Sequence, residues 1–129
     1  MNNERFEQII AALQWKRLIR LPRKIEIGRK IIERECKDET ELQEFIDESE
    51  RRFSDLCEAM GDSLYNYPPR FGYLGDDTII DGLWGIIPLG WNAYQKVLQK
   101  PASFWSFYKD ARQMMATESF AYIIHDESE

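Results

Sequence analysis

The chain has 129 residues, 43% of them hydrophobic and 31% charged, with a formal net charge of −6. The length is close to the commonest domain size and the composition is too apolar for a disordered chain, so a single packed domain over 1–129 is expected. An acidic chain is repelled by nucleic acid and anionic lipid unless its charges are segregated, two cysteines do not build a disulfide-framed secreted domain, and no stretch approaches the ~20 apolar residues of a membrane span.

Residues 3–20 read as a helix, with Asn3 as cap and Phe6, Ile9, Ile10, Leu13 and Leu18 at helical spacing. The opening Met1-Asn2-Asn3-Glu4-Arg5 has no apolar run behind it of signal-peptide length, so a cytoplasmic protein is expected. Pro22 ends the first helix and can start the next, which places Ile25, Ile32 and Cys36 on one face around Gly28. A short strand over 24–27 is the rival reading, because Ile25 and Ile27 alternate with charges. The clearest element spans 38–60: Asp38 caps it, Glu39 and Glu41 suit its positive end, Leu42, Phe45, Ile46, Phe53, Leu56, Cys57 and Met60 form its stripe, and Gly61 stops it. Asp47 with Arg51, and Glu48 with Arg52, are expected as pairs four residues apart. This placement puts Cys36 and Cys57 nearly 30 Å apart at ~1.5 Å per residue, so both are expected as free thiols.

Residues 61–91 hold six of the seven glycines and three of the five prolines, which predicts loops, with short strands at 78–80 and 86–87. Helix resumes over 91–100, and Pro101 opens another whose face carries Phe104, Phe107, Tyr108, Ala111, Met114 and Met115. The stretch 120–125 is helix or strand, and 126–129 an acidic, frayed tail. The fold class expected is mainly α: a compact domain of four to six helices, with room for one short β-hairpin within 64–90. A charged antiparallel helical layer over 1–60 would be crossed by an aromatic-rich half over 61–125.

Charge is segregated along the chain. Residues 1–37 carry ten Lys/Arg against five Asp/Glu, and the remainder seven against eighteen. Lys16, Arg17, Arg20, Arg23 and Lys24 form a basic cluster, with Arg29 and Lys30 close behind. Such a cluster can hold phosphates, with Trp15 stacking on a base, or an acidic protein surface. The plainer reading is that it faces the acidic helix 38–60, which carries nine acids against Arg51 and Arg52. Glu44, Asp47, Glu48 and Asp55 are the matching candidates for a basic partner. Trp84 and Trp91 bracket the apolar run Leu83-Trp84-Gly85-Ile86-Ile87-Pro88-Leu89-Gly90-Trp91, which reads as core or as a contact patch.

Chemistry has little to stand on. No phosphate-binding glycine loop occurs, and Asp76, Asp77 and Asp81 lack the spacing of a calcium loop and sit beside turn glycines. His125 is the single histidine, one ligand short of a closed zinc site even with both cysteines. No catalytic residue, metal or cofactor is expected. The leading expectation is a non-catalytic protein-binding module, such as a small inhibitor, adaptor, chaperone or immunity-type factor, acting through a charged helical surface or an aromatic patch. Its partner is another protein, with a homodimer as one form of this. A nucleic-acid-associated regulator using 16–30 is the alternative, and a ligand binder or enzyme with a pocket lined by Trp84, Trp91 and Trp105 is the third.

Overall fold

Asn2, rather than Asn3, opens the first helix: its Oδ1 accepts the Arg5 amide at 2.8 Å at the start of α1 (Asn3–Leu13). The computed structural model describes residues 1–125, so the tail expected over 126–129 lies outside the described residues. The helix expected over 3–20 breaks at Gln14, which adopts left-handed backbone at φ 48°, and resumes as α2 (Trp15–Leu18). Pro22 lies in the turn that follows. It does not start α3 (Lys24–Glu35), which begins behind Arg23, a second left-handed residue at φ 59°. The rival strand at 24–27 is therefore helix, while α4 (Glu39–Met60) matches its expectation: the Asp38 carboxylate accepts the Glu41 amide at 2.8 Å, and Gly61 ends the helix.

The segment after α4 departs most from expectation. Short 3-10 turns at Gly61–Tyr65 and Pro69–Phe71 lead into α5 (Asp76–Ile86), and among the described residues there is no strand and no hairpin. Both expected strands fall within helical backbone, because Gly82 and Gly85 are contact glycines rather than breakers. A Cβ at Gly82 would lie 2.5 Å from Met114 Cγ, and one at Gly85 2.5 Å from the Tyr108 hydroxyl. These glycines let α5 approach α7 (Ala111–Ala116) closely. The helix after Pro101 is also divided. A 3-10 stretch Pro101–Phe107 follows α6 (Trp91–Gln99), and then come α7 and α8 (Ser119–His125), giving eight α-helical segments among the described residues instead of four to six.

The chain forms one compact, mainly helical domain with a single core. α1 packs on α3, α3 on α8, α4 on α6 and α5 on α7, so the two halves of the chain interleave. Phe6 stacks on Phe45 at 4.8 Å, and Phe53 lies flat on Trp84 at 4.1 Å and 5°. Both cysteines are free, Cys36 buried and Cys57 half-buried. Burial pushes the Cys36 thiol up to about 11. Among the described residues no helix is long and apolar enough to cross a membrane.

Candidate functional site: the basic face of α2

The break at Gln14 determines how α2 is presented. The Gln14 amide closes α1 on the Ala11 carbonyl at 3.2 Å, while the Gln14 carbonyl accepts the Arg17 and Leu18 amides at 3.0 and 2.9 Å. One residue thus ends one helix and begins the next. Trp15 and Leu18, three apart, turn inward: Trp15 is 5% exposed and meets Phe120 edge-on at 5.7 Å. Lys16, Arg17 and Arg20 are left pointing to solvent.

Two clefts flank this face, each of about 430 Å³. The first runs between α1, the start of α2 and the Ile87–Leu89 turn, with Ile10, Trp15, Pro88 and Leu89 as apolar lining and Lys16, Arg17 and Glu7 as polar groups. The second runs between α2, α5 and α7, lined by Trp15, Ile19, Leu89 and Phe107, with Lys16, Arg20 and Gln113 at its polar margin. Trp15, Lys16 and Leu89 belong to both.

The five basic candidates separate into two groups. Arg23 is paired with Glu26 at 2.5 Å, and the Lys24 ammonium donates to the Ala116 carbonyl at 3.4 Å, tying α3 to the end of α7 beside the second cleft. Lys16, Arg17 and Arg20 make no ion pair or side-chain hydrogen bond among the described residues. The cluster therefore does not face the acidic helix as the plainer reading had it. Several acids of α4 are used elsewhere: Glu41 by Arg5 at 2.7 Å, Glu44 by the Met1 amine at 3.2 Å, Glu48 by Arg51 and Arg52, and Glu50 by His125 at 3.7 Å.

The other candidates do not converge. Asp47 is exposed and accepts from Gln43 at 2.9 Å, so the expected Asp47–Arg51 pair is replaced by Arg51 with Glu48 and, at 2.8 Å, Asp55. Asp55 also accepts the Tyr94 hydroxyl at 2.9 Å. Trp84 is 7% exposed and belongs to the core, Trp91 is half-buried against Tyr94, and Trp105 packs against Phe104 and Phe71. None of these three tryptophans lines the α2 clefts.

Arg52 forms its expected pair with Glu48 at 3.0 Å, but it is fully buried, paired also with Glu7 at 2.7 Å and stacked 4.0 Å over Phe6. Glu7 in turn accepts the Trp91 amide at 2.7 Å, so one carboxylate holds both the buried arginine and the start of α6. The signal was present: Phe45, Ser49, Arg52, Leu56 and Met60 recur at helical spacing and are all buried. In comparisons with known proteins, no family model, curated protein or solved structure matches this chain.

Proposed function

We propose that the protein is a non-catalytic protein-binding module that takes an acidic segment of its partner on the basic face of α2. The observation that carries this reading is the set Lys16, Arg17 and Arg20: exposed, without a carboxylate partner among the described residues, and set over apolar clefts in a chain of net charge −6. Arg5, Arg23, Arg51 and Arg52, by contrast, are paired with carboxylates inside the fold. Three clustered cations raise the encounter rate of an acidic surface and fix its orientation, while apolar lining supplies the burial from which affinity comes.

A polyanion such as nucleic acid uses the same cations but fits the rest of the site less well. Binding without sequence preference relies on aromatic faces open to bases, and Trp15 is 5% exposed, its ring committed to Phe120. The decisive experiment is fluorescence anisotropy with a labelled acidic peptide and a labelled single-stranded DNA, each titrated with the wild-type chain and with K16E/R17E/R20E. The peptide should bind the wild type and lose that binding in the variant. Retention of peptide binding by the variant, or preference for the DNA, overturns the reading.

A further inference from the structure

The two clefts share a wall, and the shared residues are Trp15, Lys16 and Leu89. Trp15 and Leu89 form the apolar ridge, and Lys16 stands over it in solvent without a partner among the described residues. Away from the ridge the charges differ. The first cleft carries Arg17 near the ridge, but its α1 wall includes the Glu7 carboxylate, already bonded to Arg52 and the Trp91 amide. The Glu7 charge is matched by Arg52, so a negative group on the occupant is favoured over Lys16 on the ridge. The second cleft has Arg20 on its margin and Ile19 and Phe107 in its lining, with no carboxylate among the lining residues.

Resting on the acidic-partner reading above, we propose that the two clefts are one docking track for an acidic protein segment with two apolar anchors. An acid of that segment meets Lys16 on the ridge. One apolar side chain enters the first cleft beside Ile10 and Pro88, and the second enters the other cleft beside Ile19 and Phe107. A further acid beyond the second anchor meets Arg20. The pattern recognised is apolar, acid, apolar, acid. A purely acidic surface would satisfy the cations and leave both clefts unfilled. A phosphate backbone would satisfy the cations and offer nothing apolar to either cleft.

The test is selection of a display library of short random peptides on the wild-type chain, followed by anisotropy of the enriched peptides against cleft variants. Ala11→Trp fills the first cleft from an exposed position. Ala116→Trp fills the second, with Gln113→Trp as a second way to fill it should Ala116→Trp fail to fold by circular dichroism. The enriched peptides should carry an acid flanked by apolar residues. Each filling variant should weaken them about tenfold or more, as expected for loss of one buried apolar anchor, and Lys16→Glu should abolish binding. Acidic peptides enriched without apolar flanks, or indifferent to both filling variants, overturn the track while leaving the acidic-partner reading intact. Peptides that keep their affinity for Lys16→Glu, or a library that yields no enrichment, overturn both.

Discussion

Arg52 and Glu7 meet at 2.7 Å, and the guanidinium between them and Phe6 has no exposed surface. The pair links α1 to α4, and through the Trp91 amide on Glu7 it also links both to α6. Asn3 Oδ1 accepts a further bond from Arg52 at 3.2 Å, and Glu48 takes its Nε, so every side of the buried cation is satisfied. Removing one partner of such a buried pair leaves the other uncompensated, which costs about 3–5 kcal/mol. Arg52→Ala should therefore lose about that much in urea unfolding, a large share of the ~5–15 kcal/mol stability of a domain this size. Arg52→Met, which keeps the packing against Phe6, should lose less. A surface-like loss below about 0.5 kcal/mol for Arg52→Ala would show that the cluster contributes little.

Gly82 and Gly85 make a graded prediction. A Cβ at Gly85 collides with Thr117 and Tyr108, neither of which can yield. The Thr117 hydroxyl lies between the Asp81 and Met114 carbonyls and has its one proton to share with them, and the Tyr108 hydroxyl donates to the Gly82 carbonyl. Gly85→Ala should cost at least the ~1–3 kcal/mol of an overpacked core. At Gly82 a Cβ meets Met114 Cγ and Sδ and Phe104 Cζ, side chains in the core with no hydrogen bond to break, and replacing a helical glycine by alanine returns ~1 kcal/mol of helix propensity. Gly82→Ala should thus cost less than Gly85→Ala, and thermal unfolding of the two variants side by side checks the order. Equal losses would mean that the α5–α7 contact is soft.

These two glycines also show where the sequence stops being legible. A glycine that breaks a helix and one that lets two helices touch look identical until the neighbour is known, and the neighbour here lies some thirty residues further on. The helix 38–60 was readable because its cap, stripe and stop coincide in one stretch of chain. The break at Gln14 was not, since glutamine carries no left-handed preference and the apolar spacing runs on from Leu13 to Leu18. For the site, the basic cluster was readable by type, but composition does not say which cations find partners. That depends on where α3 and α4 place Glu26 and Glu41.

Two carboxyls should give opposite pH signatures. Burial, and then the charges of Glu118 and Asp77, push Asp81 up from an ordinary 3.8 to about 6. Between those values the native state holds a proton that the unfolded chain has released, so this group's contribution to stability falls as pH rises from about 4 through 6. Asp81→Asn should raise the urea midpoint at neutral pH and lose that advantage as the pH falls below 3.8. Glu41 runs the other way. Its hydrogen bond from Arg5, then one from the Lys37 amide, hold it down at about 2 against an ordinary 4.5. Its contribution is present above 4.5 and fades as pH falls toward 2, so the loss caused by Glu41→Gln should be largest at neutral pH and shrink on acidification. A pH-independent difference for either variant would show that its carboxyl does not titrate as its surroundings imply.

The basic residues of α2 and α3 should divide by stability as well as by binding. Arg29 donates to the Ile123 and Ile124 carbonyls at 2.9 and 3.0 Å, satisfying the last turn of α8 from a neighbouring helix. Hydrogen bonds from a charged donor contribute about 1.5–3 kcal/mol, so Arg29→Ala should lower stability by about that range. Lys16, Arg17 and Arg20 touch no acid of the described fold, and exposed substitutions away from such contacts stay within about 0.5 kcal/mol. K16E/R17E/R20E should therefore unfold in urea at the wild-type midpoint while Arg29→Ala unfolds earlier. An equal fall in both would mean that the α2 cations stabilise the fold, and any loss of binding by the triple variant would then have a structural cause. An unchanged midpoint makes the same variant a clean probe of binding, because a face that contributes nothing to stability can be reversed in charge without disturbing Trp15 or the clefts beside it.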